Sequence, residues 1–453
     1  MKMKNDFPQQ ITVKGIFVLL LAVFLAFNVI AQSDETALEQ ALYNLPDVTF
    51  KKISDPGDPY LKYALKIRQP LDHHDHASKF YYQQVILTHR GFDKPTVMNI
   101  NGYEIYKAKN EIVEMLHANE LNIEYRYFGE SVPETLQWKY LNYDQVSNDL
   151  HRINQMFKTF YTRKWISTGI SRGGQTTIIY RYFYPQDVDM AIPYVAPMNK
   201  SLEDKRIYAF LDTMGSPECR QRIYDFQVNL LKNEPEILEK LKWYAKGKNN
   251  QFNYLGSLGK AFEYAVLEYP FSFWQVGYTP CDKIPEDKPE DVMLEHLLEI
   301  VDLDFFSDKT MTGFAVHYYQ NMTEGGYYGY NAVPFKKYLH YIKEPEPSAT
   351  FPPKSESYKP FDSSLMDKIF AWLDKEGNNF IYVYGGRDTW SACRVSVSIN
   401  VNSRLFMVPG ANHYEARVIN MTAAMQKEFA GVMNNMLGAE ADLSVLKTFH
   451  SSK

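Results

Sequence analysis

The interpretation of this chain starts from one stretch of ten residues, WISTGISRGG at Trp165–Gly174. Trp165–Thr168 predicts a strand, and Gly174–Tyr184 predicts a helix. Between them, glycines flank Ser171 in a G-x-S-x-G sequence, which is typical of a sharp strand-to-helix turn that exposes the serine hydroxyl. The stretch therefore predicts a nucleophilic serine. A glycine-rich turn with an incidental serine is the alternative.

A serine hydroxyl is a weak nucleophile without a histidine base and a carboxylate that orients the base. Two later strands run into residues of these types: Phe380–Tyr384 precedes Asp388, and Arg404–Val408 precedes His413. Both residues follow strands, and the chain order serine, aspartate, histidine is that of α/β-hydrolases. The sequence therefore predicts a catalytic triad of Ser171, Asp388 and His413.

Acyl transfer through a serine also needs two N–H donors for the negative oxygen that develops in the transition state. The backbone N–H of Arg172, directly after the serine, is the first candidate. The second is expected on the loop after an early strand. Thr96–Ile100 runs into residues 101–104 (NGYE), so we predict the N–H of Tyr103. An ordinary turn at the end of a strand is the alternative.

Strands and helices alternate on both sides of a long insertion. Further strands are predicted at Val85–His89, Ile123–Phe128 and Met190–Val195, and helices at Asp144–Phe160, Ser364–Glu376 and Tyr414–Leu437. Within 201–362, helical spacing of apolar residues predicts Cys219–Leu231, Pro235–Lys246 and Val292–Leu303. Such alternation predicts a mostly parallel sheet with helices on both faces. We therefore predict an α/β protein with the α/β-hydrolase fold, formed by residues 32–200 and 363–453, with 201–362 as a large helical lid.

Composition and charge exclude several classes of protein. The chain has 453 residues, 45% of them hydrophobic, and a net charge of −5. This composition supports a large core and excludes disordered and collagen-like chains. The charge provides no basic footprint for nucleic acid. The loop Asp72–His76 (DHHDH) contains metal-ligand types, but five neighbours in one short polar loop can hardly close a coordination sphere. We expect a solvated loop there, no metal and no cofactor.

The N-terminus has the features of a secretory signal peptide. Three lysines accompany the apolar run Gly15–Phe27, and residues 29–31 (VIA) resemble a cleavage site. The apolar run is shorter than the roughly 20 residues of a membrane span. We therefore expect removal of residues 1–31 and export to the periplasm or the extracellular space, without a remaining membrane segment. An uncleaved membrane anchor is the alternative.

Export would expose the three cysteines to oxidising conditions. Cys219 and Cys281 lie in the same middle region and are candidates for a disulfide, which would leave Cys393 as a free, buried thiol. Three unpaired cysteines are the alternative.

The order of several motifs around the serine resembles that of a known family. These motifs are Gln69–His73 (QPLDH), Tyr125–Ser131 (YRYFGES), the turn itself (GISRGGQT), Phe183–Pro185 (FYP) and Tyr194–Pro197 (YVAP). Together they resemble the proline-directed serine peptidases grouped around prolylcarboxypeptidase and dipeptidyl peptidase II. The resemblance is strongest to the secreted bacterial prolyl tripeptidyl aminopeptidases, and it covers most of the chain after residue 31.

The resemblance implies an exopeptidase that cleaves after proline near the N-terminus of short peptides, releasing tripeptides or dipeptides. It also implies the triad already derived, and an aromatic residue near the proline pocket at Trp390. An aminopeptidase needs an acid to hold the ammonium group of its substrate. Glu104, beside the predicted oxyanion loop, and Glu130 are the candidates. No oligomeric state is indicated.

Two other functions are compatible with these residues. One is an acyl esterase on the same fold, because a triad alone does not select the substrate. The other is a binding protein that retains the hydrolase fold without catalysis, which the presence of all three triad residues disfavours.

Overall fold

The computed structural model describes residues 34–54, 58–343, 350–353 and 359–448. The predicted signal peptide, 1–31, lies outside the described residues. Within them, nine strands form one sheet with the order β1-β2-β3-β5-β4-β6-β7-β8-β9. The strands are β1 Val48–Lys52, β2 Leu61–Pro70, β3 Phe80–His89, β4 Thr96–Ile100, β5 Asn119–Ile123, β6 Trp165–Ile170, β7 Met190–Tyr194, β8 Ile381–Gly385 and β9 Arg404–Val408.

The sheet changes character along its width. The pairs from β1 to β5 are antiparallel, whereas every neighbouring pair from β5 to β9 is parallel. All residues of β7 and β8 are buried, as is typical of parallel strands covered by helices on both faces. This topology confirms the predicted α/β-hydrolase fold.

Helices flank the sheet and fill the insertion between β7 and β8. They are α1 (34–43), α2 Glu111–Met115, α3 Tyr143–Lys158, α4 Arg172–Phe183, α5 Arg206–Leu211, α6 Pro217–Lys232, α7 Glu234–Lys248, α8 Leu258–Gln275, α9 Glu290–Ile300, α10 Asp308–Gly313, α11 Ala315–Gln320, α12 Ser364–Lys375 and α13 Ala423–Leu437. A π-helical turn, Asn321–Gly325, follows α11. None of the helices in the described part of the chain is both long and apolar enough to cross a membrane.

The helices α5–α11 lie in the stretch predicted to form the lid, and most of them pack around a separate hydrophobic core. The central helix α8 is buried on nearly all sides, which suits its predominantly apolar sequence. The predicted disulfide between Cys219 and Cys281 is present, with a Cα separation of 5.4 Å, and Cys393 is free and buried.

Helix α11, near the end of the insertion, contacts the body of the protein. Val316 and Tyr319 of α11 pack in the hydrophobic core beside the sheet rather than in the core of the insertion. Gln320 accepts a hydrogen bond from the hydroxyl of Tyr125 at 2.7 Å. Tyr318 of the same helix packs in the core of the insertion, so α11 connects the two cores.

One predicted strand is wrong in its position. The strand expected at Ile123–Phe128 is β5, Asn119–Ile123, and the chain leaves the sheet after it. Arg126 is fully buried and pairs with Asp149 of α3, with Nε 2.7 Å from Oδ2. Tyr127 has a φ of 71°, which is incompatible with a continuing strand. Residues 125–128 alternate aromatic and other residues as a strand would, but they lie outside the sheet because Arg126 pairs with Asp149.

One predicted helix begins later than expected. The helix predicted at Tyr414–Leu437 is α13, which begins at Ala423. The hydroxyl of Thr422 accepts a hydrogen bond from the N–H of Met425, and this cap sets the start of the helix. The preceding residues form the loop of His413 and a 3-10 turn at Val418–Asn420.

Candidate active site

Ser171 occupies the sharp turn between β6 and α4, with φ 56° and ψ −121°. Such a backbone conformation is costly for a residue with a Cβ atom and is typically retained where function requires it. The neighbouring glycines allow the turn to pack closely. A Cβ on Gly169 would lie 2.4 Å from the carbonyl oxygen of Gly173, and one on Gly173 would lie 2.2 Å from that of Ile100. The serine hydroxyl has no hydrogen-bond partner among the described residues.

The predicted carboxylate and base of the triad, Asp388 and His413, are hydrogen-bonded to each other. Asp388 lies just after β8 and is fully buried, and its Oδ2 lies 2.8 Å from Nδ1 of His413, just after β9. Its other oxygen, Oδ1, accepts the backbone N–H of Trp390 at 3.1 Å. A histidine that donates from Nδ1 to a carboxylate keeps Nε2 free of a proton, as a general base requires. Because β6, β8 and β9 are parallel, the loops that carry all three predicted triad residues lie at the same edge of the sheet.

The predicted oxyanion donors lie on two segments that touch. A Cβ on Gly102 would lie 2.6 Å from Cβ of Arg172 and 2.7 Å from N of Gly173, so the loop 101–104 rests directly on the start of α4. The backbone N–H groups of Tyr103 and Arg172 donate to no acceptor within the described ranges. Both are therefore available to a ligand.

The side chain of Arg172 adds a feature that sequence reasoning missed. Its buried guanidinium donates from Nη1 to the carbonyl oxygen of Gly102 at 3.0 Å and from Nη2 to Oε1 of Gln320. It also lies over the ring of Tyr125, 4.2 Å from the centroid. In a trans peptide the C=O and the next N–H point in opposite directions. By holding the oxygen of Gly102, the guanidinium fixes the direction of the N–H of Tyr103.

A cavity of about 340 Å³ opens beside Ser171, between the sheet edge and the insertion. Three of its residues form an aromatic box: Phe271 stacks on Tyr328 with ring centroids 3.9 Å apart, and Trp390 meets both edge-on at 5.1 and 5.3 Å. Trp390 was predicted to lie near such a pocket. Phe271 and Tyr328 come from the insertion, where the sequence carries no signal for them beyond aromatic content.

His317 lines the same cavity and was also missed. Its Nε2 lies 3.0 Å from Nδ2 of Asn321. Burial, together with the neighbouring Arg172 guanidinium, lowers the pKa of His317 well below its usual value. The imidazole is therefore neutral and contributes a polar but uncharged wall.

The two predicted ammonium-binding acids lie away from the cavity. Glu104 is exposed, and Glu130 is exposed and pairs with Lys66, with Oε2 3.6 Å from Nζ. Neither residue lines the cavity. The buried carboxylate that does line it is Glu268 of α8, which the sequence analysis did not consider.

The loop with metal-ligand residue types, 72–76, is engaged with α3. Nε2 of His73 lies 2.7 Å from Oδ1 of Asp149, and Nε2 of His74 lies 2.6 Å from Oδ2 of Asp144. These contacts give the two histidines a structural role.

Another cluster lies in the insertion, where Glu234, Glu263 and His340 have ligand atoms within 4.8 Å of one another. The Glu263 carboxylate already accepts the backbone N–H groups of residues 340–342, and His340 pairs with Glu234. These hydrogen bonds attach the segment 340–342 to α7 and α8, which explains why the three side chains lie close together.

The serine turn, the buried aspartate–histidine pair and the adjacent cavity define a serine hydrolase of the α/β-hydrolase fold. The chain belongs to the PS-10 peptidase S37 family, whose sequence profile matches residues 34–438. It is 29% identical over 413 residues to a prolyl tri/tetrapeptidyl aminopeptidase from Streptomyces mobaraensis, covering 87% of this chain and 86% of the relative. The predicted family resemblance is thus confirmed, and the chain is a serine peptidase.

Solved structures with a similar fold include two other hydrolases. A proline iminopeptidase from Mycobacterium smegmatis has 13% identity and a TM-score of 0.35, covering 82% of this chain and 97% of that one. A 2-hydroxy-6-oxo-6-phenylhexa-2,4-dienoate hydrolase from Rhodococcus sp. strain RHA1 has 11% identity and a TM-score of 0.37, covering 85% and 100%.

Proposed function

We propose that this serine peptidase is an exported exopeptidase that cleaves after proline near the N-terminus of short peptides. Ser171 attacks the carbonyl carbon of the proline residue while Nε2 of His413 takes the hydroxyl proton, which then passes to the leaving amine. Asp388 orients the imidazole. The N–H groups of Arg172 and Tyr103 hold the negative oxygen. Water hydrolyses the resulting acyl-enzyme, with His413 again acting as the base.

The observation that carries this proposal is the aromatic box of Phe271, Tyr328 and Trp390 in the same cavity as Ser171. A pyrrolidine ring is compact and apolar, and it packs well against aromatic faces. Trp390 also donates its backbone N–H to Asp388, so the candidate proline pocket and the predicted acid share one short segment. The prolyl specificity in the name of the Streptomyces relative supports the same assignment.

The size of the cavity favours short substrates. At about 340 Å³ it lies at the lower end of the range of roughly 300–1,000 Å³ that is usual for ligand pockets. The helices of the insertion cover it from the side opposite the sheet. A chain end enters such a space more readily than the middle of a folded protein.

Export is supported by two observations. Residues 1–31 have the composition of a signal peptide. The disulfide between Cys219 and Cys281 is of the kind that persists in an oxidising compartment.

Kinetics with chromogenic substrates test the proposed activity. We expect the protein starting at residue 32 to hydrolyse Ala-Ala-Pro-p-nitroanilide or Ala-Pro-p-nitroanilide, and to prefer proline over alanine at the cleaved position by about 10- to 200-fold in kcat/KM. Turnover of p-nitrophenyl acetate without cleavage of either prolyl substrate would favour an acyl esterase. Mass spectrometry of peptides with proline at position two, three or four then identifies the length released.

Replacing Arg172 by Met tests the orientation of the second oxyanion donor. Without the guanidinium the peptide between Gly102 and Tyr103 is free to rotate, and we expect kcat to fall about 100-fold with little change in KM. The matched control is Gln320→Met, which removes the other partner of Arg172 and leaves its contact with Gly102. The role assigned to Arg172 is wrong if both variants lose kcat equally, or if Arg172→Met keeps the wild-type kcat.

A further inference from the structure

A buried carboxylate that the proposed mechanism does not use lies in the wall of the cavity. Glu268 is on α8, one turn before Ser272, and only 4% of its surface is exposed. Its Oε1 accepts the hydroxyl of Ser272 at 2.9 Å, and its Oε2 accepts the hydroxyl of Tyr328 at 2.8 Å. Tyr328 is a member of the aromatic box. Glu268 is therefore attached directly to the candidate proline pocket.

Among the described residues, the groups that face Glu268 carry no positive charge. They are the hydroxyl of Ser272 on its own helix, and the phenols of Tyr318, Tyr327, Tyr328 and Tyr330 from α11 and the segment after the π-helical turn. Burial raises the pKa of Glu268 to about 7, because the ionised form is removed from water without a cation to compensate it. A bound cation would remove this penalty.

Two other buried carboxylates have hydrogen-bond partners of a different kind. Asp149 pairs with the guanidinium of Arg126, and Glu111 accepts the backbone N–H groups of Val418 and Ile419. The second carboxylate that lines the cavity, Asp302, is exposed to solvent and caps a helical turn by accepting the N–H of Asp304. Glu268 differs from these three residues because it is buried, lines the cavity and, within the described part of the chain, accepts hydrogen bonds from neutral hydroxyl groups only.

We propose that Glu268 binds the free α-ammonium group of the peptide substrate, and that this contact makes the enzyme an aminopeptidase. The inference rests on the proposed function, since it concerns the same cavity. An ammonium group supplies three donors and a full positive charge, which is the partner that a buried carboxylate lacks. A peptide whose amino group is acetylated has no positive charge to offer Glu268, so its binding does not gain from this contact.

The test compares two substrates that differ only at the amino group. For Ala-Ala-Pro-p-nitroanilide, Glu268→Gln should lower kcat/KM by about 100-fold, because one member of a buried charge pair is removed. For the acetylated substrate the same variant should match wild type. Asp302→Asn is the matched control and should retain the preference for the free amine. In the wild type, KM for the free-amine substrate alone should fall as the pH rises through about 7, where Glu268 becomes charged.

Each other result has a separate meaning. An equal loss on both substrates would show that Glu268 only supports Tyr328, and would overturn the proposal. Loss of the preference in Asp302→Asn but not in Glu268→Gln would assign the role to the other acid and would also overturn it. The rate of labelling by a fluorophosphonate reports whether each variant is folded. If the wild type cleaves neither substrate, the proposed function itself has failed, and this is seen before any variant is measured.

Discussion

Replacing Ser171 by Ala is expected to lower kcat for a prolyl peptide by about a million-fold, because no acyl-enzyme can form without the hydroxyl. The variant should bind substrate with nearly unchanged KM, since the removed oxygen has no hydrogen-bond partner among the described residues. It should also fold normally. Alanine has the same Cβ as serine, so the backbone conformation at φ 56° is no more strained than before.

A neighbouring serine provides the matched control for this variant. Ser167 lies four residues earlier in β6, is fully buried, and its hydroxyl has no hydrogen-bond partner in the part of the chain that the structure describes. We expect Ser167→Ala to retain wild-type kcat. The measurement is steady-state hydrolysis of Ala-Ala-Pro-p-nitroanilide by the three proteins, together with their thermal unfolding midpoints. Equal rates for wild type and Ser171→Ala would rule out Ser171 as the nucleophile.

The second large effect is expected for Asp388→Asn, which should lower kcat by about 10,000-fold. The cause lies in the second contact of this side chain. Because the backbone N–H of Trp390 donates to Oδ1, the amide oxygen of an asparagine would occupy that position and its NH₂ group would face Nδ1 of His413. The imidazole would then accept at Nδ1 and carry its proton on Nε2. In that tautomer it cannot take the proton of Ser171.

This prediction is checked by kcat at a pH where wild type is fully active, with the unfolding midpoint as the control for folding. A neutral amide of the same size preserves the packing around Asp388, so we expect the midpoint to change little. A loss of less than about tenfold in kcat would mean that Asp388 does not orient the base, and would require another carboxylate in that role.

The proposed chemical centre was predicted from local patterns in the sequence. Ser171, Asp388 and His413 each follow a short apolar strand, and parallel strands bring such positions to one edge of a sheet. The glycines around Ser171 indicate that other backbone atoms pack against the turn too closely for a Cβ atom. The structure shows such contacts at Gly169 and Gly173. The strand followed by a reactive residue is a pattern of neighbours along the chain, which is why the sequence contains it.

The features that were missed depend on long-range contacts. Residues 125–128 alternate like a strand, yet the pairing of Arg126 with Asp149 removes them from the sheet. The buried carboxylate that lines the cavity is Glu268, rather than Glu104 or Glu130, because the packing of α8 decides which acid reaches the cavity. The helical period of the insertion predicts its helices but not their placement, since period alone does not specify tertiary packing.

The most direct test of the central claim, that Ser171 is the nucleophile of a cavity that accepts prolyl peptides, is a labelling experiment. The protein is treated with a fluorophosphonate in the presence and absence of excess Ala-Ala-Pro, and the modified residue is located by peptide mass spectrometry. The account predicts a single adduct on Ser171, formed more slowly when Ala-Ala-Pro occupies the cavity. An adduct on a different serine, or labelling of Ser171 at a rate that Ala-Ala-Pro does not change, would contradict it.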